Sequence, residues 1–370
     1  MNAQPSLPFA TAQWPGCAGT LRTVPEDFQV EELPAYPASG SGEHLLVQVE
    51  KRGISTWEAI LRLSRVLGLP RQAAGHAGLK DAAAVARQWL SFQTPANPSA
   101  AELERSGLKI LTVDRHRNKL RPGHLRGNRF RIVIRGGVEP AGFAELAEKL
   151  LSEGFPNYFG RQRVGANGRN AEAGKELLRT GFPAPNPLNR SRFLTNAYQA
   201  ALFNSLLARR LEETGSLAEM LPGDLAVLHA SRGFFSVTEE ELEAARNRAA
   251  VGEISASAPL FGYKVPLAQG LPGQWEQALL AVEGLSLTDF RQKGKRLSPK
   301  GERRPVRAFP VGLEWECAEL DGLPSIIARF TLGPGVYATS LLRELMKNDP
   351  DAPGFSEFLP SGDSPHPDGP

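Results

Sequence analysis

Residues 129–135 alternate: Phe130, Ile132 and Ile134 fall on one side, Arg129, Arg131 and Arg135 on the other. Successive strand side chains point to opposite faces, so this period of two commits the segment to a half-buried strand. One face enters a core; the other is basic and can meet phosphate. Such a strand needs partners, and residues 28–32, 45–49, 88–92 and 108–113 carry strand patterns too. After a long interval, strand patterns return at 306–320 and 324–332.

The interval reads differently. Helical spacing dominates from about residue 141 to 285, with a long candidate at 192–213 and another opened by the box from Thr238 to Glu241. Earlier, Ser55 or Thr56 caps a helix reaching about Leu67, with Trp57, Ile60, Leu61 and Leu67 at near-helical spacing and Gly68 and Pro70 to stop it. A last helix is expected at 337–347. The fold class implied is α+β (mixed α/β): a sheet domain built from both chain ends, plus an inserted helix-rich α/β domain. The expected limits are 1–155 for the N-terminal part, 156–303 for the insertion and 304–348 for the C-terminal part. Residues 349–370 hold five acids, six prolines and no Lys or Arg, the composition of a disordered tail.

Composition narrows the function. Of 370 residues 41% are hydrophobic and 22% charged, and no run approaches the roughly 18 apolar residues of a membrane span. The first 14 residues lack a secretion pattern, and two cysteines, Cys17 and Cys317, give neither a disulfide framework nor metal-ligand spacing. The expectation is a cytoplasmic protein with no metal. Net charge is only +3, yet the basic residues cluster. Residues 115–138 contain no acid but eight Lys or Arg; 154–171 are acid-free with Arg161, Arg163 and Arg169 among glycines; 291–307 have Glu302 as their one acid. Such blocks mark a polyanion site, or solvated faces paired with acids elsewhere.

One carboxylate stands out. Asp81 follows Ala77, Gly78, Leu79 and Lys80 in a loop hinged by Gly75 and Gly78, ahead of the strand at 88–92. Loops on a rigid scaffold carry reactive groups more often than element interiors do, although the same pattern suits a solvated turn. Taken with Pro25 to Phe28, Gly40 to His44, Arg87 to Leu90, Leu125 to Phe130, the run PNYFGRQRVG at 156–165 and FTLGPGVYATSLLREL at 330–345, it resembles the TruD-type tRNA pseudouridine synthases, which act on uridine at position 13 of tRNA.

The resemblance implies a pseudouridine-synthase-type catalytic domain with a largely antiparallel sheet, no cofactor, a tRNA substrate and a monomer. It implies Asp81 as the essential carboxylate, acting by addition to base or ribose or by removing a ribose proton, and Arg22 as its basic partner. A cation beside the acid favours the ionised form that either route needs. Phe28, Asn128, Phe130 and Phe330 match substrate-contact positions, Phe130 by stacking and Asn128 by hydrogen bonding to base or sugar. Arg161, Arg163 and Arg169 suit an RNA backbone, as do Arg129 and Arg131 on the basic strand face; Lys80 is assigned to phosphate contact or to shaping the loop. Ala86 stands where the family often carries Thr, which removes one hydroxyl from near the acid. Two other classes fit parts of the pattern: an RNA-binding protein without catalysis, and a glycoside hydrolase using a second carboxylate among Glu26, Asp27 and Glu43.

Overall fold

A computed structural model describes residues 7–165, 168–180, 188–231, 233–291 and 298–348. The acidic tail expected at 349–370 lies outside the described residues. The first part of the chain forms β1 (Phe28–Pro34), β2 (His44–Arg52), α1 (Thr56–Leu67), β3 (Ala74–His76), β4 (Val85–Gln93), α2 (Ala100–Glu104), β5 (Lys109–His116) and β6 (Leu125–Arg135). The middle runs α3 (Phe143–Ser152), β7 (Phe155–Pro156), α4 (Arg161–Val164), α5 (Arg169–Thr180), α6 (Leu188–Thr214), β8 (Leu225–Leu228), β9 (Phe234–Ser236), α7 (Leu242–Ala250), β10 (Ile254–Leu260), α8 (Gly270–Glu283), β11 (Glu302–Pro305) and β12 (Arg307–Ala308). The chain closes with β13 (Val311–Leu320), β14 (Leu323–Leu332) and α9 (Ala338–Met346).

Two compact units result. One combines residues 17–139 with 311–335 around an eight-stranded sheet of order β13-β14-β6-β1-β4-β2-β5, with β3 paired to β4. Every pairing in it is antiparallel except β1 with β4. The sheet is thus closed by strands from both ends of the chain, as their patterns suggested. The other unit combines 1–16, 140–310 and 336–351, with helices α3 to α9, a four-stranded sheet β11-β10-β8-β9 and the pair β12-β7. Its break at residue 140 coincides with the change from strand to helix patterns near 141. The limits expected at 155/156 and 303/304 each cut a strand, β7 and β11, because short strands inside a helical stretch leave little periodic signal. The last helix also groups with the helical unit rather than with the sheet that precedes it.

In the sheet unit, α1 is set by local chemistry. Ser55 caps it by accepting from the Glu58 amide at 3.1 Å, and Gly68 ends it in the left-handed region at φ 64°. Its buried face is Ala59, Ile60 and Leu63, packed with Leu45, Val47, Val49, Leu90 and Phe92. Trp57, which shares the helical spacing, is instead 39% exposed and meets His76 edge-on. This layer covers one part of one sheet face, and the remainder of that face holds the site. The opposite face carries a cross-strand charge ladder, with Arg129 to Glu31 at 3.1 Å, Arg87 to Glu50 at 2.9 Å and Lys109 to Glu50 at 3.3 Å.

Candidate active site

Alternation along three central strands builds the site. On β1, Phe28, Val30 and Glu32 share a face; in register on β6 stand Ile132, Phe130 and Asn128, and on β14 Ala328, Phe330 and Leu332. Phe130 stacks on Phe330 with ring centres 5.3 Å apart and meets Phe28 edge-on at 6.1 Å. All three rings are buried. Phe330 covers one face of Phe130, which leaves only the other for a stacked base.

Arg22 lies over this cluster, its guanidinium carbon 4.4 Å from the Phe28 ring centre, and its Nη2 donates to Asp81 Oδ2 at 3.1 Å. The arginine side chain is 10% accessible and the aspartate 34%, so a mostly enclosed cation grips an acid that solvent still reaches. Arg22 has φ 58°, a left-handed backbone that costs a bulky residue about 1–3 kcal/mol and persists only where surroundings enforce it. They do so here: Leu21 is buried, and Thr20 and Arg135 exchange backbone hydrogen bonds at 2.7 and 2.9 Å.

The segment 77–84 bearing Asp81 has no regular structure, yet side chains from the sheet and α1 satisfy its backbone. The Lys80 amide donates to Thr56 Oγ1 at 2.9 Å, Thr56 donates to Gln88 Oε1 at 2.9 Å, and Gln88 Nε2 donates to the Gly78 carbonyl at 2.6 Å. Thr56 thus supplies a hydroxyl to this neighbourhood where Ala86 cannot. The Gly123 amide holds the Ala77 carbonyl at 2.8 Å. Each bond meets a polar group that would otherwise be orphaned in a half-buried loop.

Lys80 points inward. Its side chain is 6% accessible, pairs with Glu32 at 2.9 Å and donates to Asn128 Oδ1 at 2.8 Å, so the phosphate-contact assignment gives way to loop shaping. Burial pushes the Glu32 carboxyl up, partly offset by the Lys80 ammonium. An ammonium can only donate, so it fixes the Asn128 amide with oxygen inward and Nδ2 outward. That nitrogen, which makes no hydrogen bond among the described residues, is a donor available to a base carbonyl or ribose oxygen. Gly127, beside it, has no room to vary: a Cβ there would lie 2.4 Å from the Leu332 carbonyl oxygen. We expect Gly127→Ala to lower stability by about 1–3 kcal/mol through displacement of β14 from β6, measured as a shift in urea unfolding midpoint.

The remaining expectations divide. Arg129 and Arg131 stand on the sheet face opposite Asn128 and Phe130, the basic strand face that alternation gave them, with exposed Arg129 paired to Glu31. Arg163, half-buried in α4, and Arg169, exposed at the start of α5, belong to the helical unit; the Arg161 side chain lies outside the described residues. As to a second carboxylate, Asp27 is buried against Arg135 at 2.8 Å, and Glu26 pairs with Arg52 at 2.5 Å on the exposed surface. Exposed Arg117, Arg121 and Arg126 make no ion pair among the described residues, and Arg126 sits where the β1–β6 register shifts, between the pairs Leu33–Gly127 and Pro34–Leu125. These three belong to the basic block at 115–138 that the sequence marked as a polyanion site, whereas Lys51, Thr56, Gln88 and Glu32 were given no site role from sequence. For Lys51 and Glu32 a signal existed: each continues an apolar alternation (Leu45, Val47, Val49; Phe28, Val30) onto the core side. Among the described residues no group of three or more His, Cys, Asp or Glu is arranged to hold a metal, and no helix is long and apolar enough to cross a membrane.

Comparison with known proteins gives the same direction. The family model for tRNA pseudouridine synthase D (TruD) matches residues 7–184 and 185–345. A tRNA pseudouridine synthase D of Anaeromyxobacter sp. (strain Fw109-5) is 43% identical over 356 residues, covering 95% of this chain and 99% of its own. A Thermus thermophilus protein of that name is 43% identical over 344 residues, 92% of each chain. A crystal structure of a putative tRNA pseudouridine synthase D from Methanosarcina mazei superposes with a TM-score of 0.71 at 26% identity, covering 93% of this chain and 96% of the other. The chain belongs to the TruD family. The α+β fold expected from its sequence is the fold of that relative.

Proposed function

We propose that this protein isomerises uridine to pseudouridine in tRNA, at position 13, with Asp81 as the essential carboxylate. The reaction breaks the bond from ribose C1′ to uracil N1, turns the base and joins C1′ to C5; C5 gives up its hydrogen as a proton and N1 takes up a proton, so the product is an isomer. No group is gained and no electron is exchanged, so an acid, a fixed cation and a pocket for the extruded base suffice. The base must leave its stack, at a cost of a few kcal/mol that pocket contacts offset. The observation that carries the reading is the half-exposed Asp81 carboxylate, held at 3.1 Å by the enclosed Arg22 beside a three-phenylalanine cluster. Asp81 adds to the base or ribose, or takes a ribose proton; Arg22 holds its carboxylate in place through their ion pair; Asn128 donates to the flipped nucleotide. The enzyme acts as a monomer in the cytoplasm, and Arg161, Arg163 and Arg169 bind RNA backbone.

Incubation with tRNA carrying tritium at uridine C5 tests the reading. Stoichiometric tritium release without added cofactor is expected, and tRNA bound with no release would overturn it. Arg117, Arg121 and Arg126 extend the RNA interface. Replacing all three with Gln should weaken tRNA binding and reduce the log-log salt slope by about 0.7–0.9 for each phosphate no longer neutralised. An unchanged slope would remove these residues from the interface.

A further inference from the structure

Lys51 is a lysine where the strand pattern calls for an apolar residue. It continues the core-facing series Leu45, Val47 and Val49 on β2 and is 1% accessible. Among the described residues no carboxylate bonds to its ammonium. Instead Nζ donates to three backbone carbonyls, those of Ile54 at 2.7 Å, Lys80 at 3.3 Å and Asp81 at 2.6 Å. Burying a cation is costly, and an apolar side chain would fill this place more cheaply were packing its only purpose. Two of the three acceptors lie in the segment that carries the acid, one of them on Asp81 itself.

We propose that Lys51 is a positioning residue for the isomerisation: its ammonium pins the Asp81 main chain, so that the carboxylate is held against Arg22 and toward the substrate. This rests on the functional reading above. Three donors meeting three carbonyls use the ammonium fully, and neutral lysine, with one fewer N–H, loosens the clamp. The charged groups facing Lys51 are Lys80 and Asp81 in the loop. Its neighbours on β4, Ala86 and Gln88, and the α1 start at Ser55 and Thr56 are uncharged, while Glu50 and Arg52 alternate to the opposite face. Burial lowers the Lys51 ammonium to about 8, with Asp81 opposing and Lys80 adding to the shift. The clamp therefore weakens as pH rises through that value.

The test is the single-turnover rate of tritium release as a function of pH, with tRNA affinity and thermal unfolding measured in parallel, for wild type, Lys51→Met and Lys51→Arg. Lys51→Met should react about 100-fold more slowly, the scale of a small misplacement of a reacting group, with tRNA affinity within about twofold of wild type. The wild-type rate should fall above a pH of about 8. Lys51→Arg keeps a cationic donor that stays protonated to about pH 12 and should lose that alkaline fall; should the methionine variant not fold, this arm decides alone. Wild-type rates in Lys51→Met, or an unchanged alkaline fall in Lys51→Arg, would overturn the role of Lys51. A wild-type chain that releases no tritium would overturn the functional reading itself, so the two failures are distinguishable.

Discussion

Asp81→Asn is expected to fold and bind unmodified tRNA as the wild type does while losing isomerisation by at least about 10³-fold, the scale on which removing a general base or nucleophile acts. The substitution keeps side-chain volume and an oxygen to accept from Arg22, and the position is 34% accessible, so little packing is at stake. What disappears is the negative charge and the nucleophilic or basic oxygen. Single-turnover tritium release beside filter binding separates the two effects. A variant that turns over at the wild-type rate would return the protein to the class of RNA binders without catalysis, since such a protein is indifferent to this carboxylate.

The second large effect concerns the pair beneath the loop. Lys80→Met should destabilise the fold by about 3–5 kcal/mol, because it strands the Glu32 carboxylate, 1% accessible, without its cation. The Glu32→Leu/Lys80→Met double variant should recover much of that loss, since two apolar side chains remove the buried charge rather than expose it. Activity should not recover with stability. Without the Lys80 donor the Asn128 amide is no longer held with oxygen inward, and its outward Nδ2 ceases to be a fixed donor. Chemical denaturation of both variants checks the energetics, and tRNA affinity near the wild-type value checks that Lys80 is not a phosphate contact. A single variant within about 1 kcal/mol of wild type would show that the pair is solvated and contributes little.

The sheet and its acid were legible for different reasons. Period-two alternation along β6 placed Phe130, Ile132 and Ile134 on one face by local rules alone, while Phe28 on β1 joined them only through cross-strand register. Asp81 and Arg22 are 59 positions apart, and no periodicity joins them; only motifs shared with a family linked them. Of the supporting groups, Lys80 came only with the family motif, as a phosphate contact or a loop-shaping residue, and Lys51 and Glu32 were given no role. All three are charged residues that composition assigns to the surface, and what buries them is contact with segments far away in sequence. The basic block at 115–138 was legible along the chain, but its pairing was not: Glu31 on a neighbouring strand meets Arg129, and register decides which charges have a partner. Unit boundaries were blurred because two- and four-residue strands such as β7 and β11 are too short to show a period.

Position-resolved mapping of pseudouridine tests the account most directly. An unmodified tRNA transcript incubated with the wild-type chain and no added cofactor should acquire pseudouridine at position 13 and nowhere else. Conversion at other uridines with position 13 untouched, or bound tRNA recovered with every uridine unchanged, would contradict it.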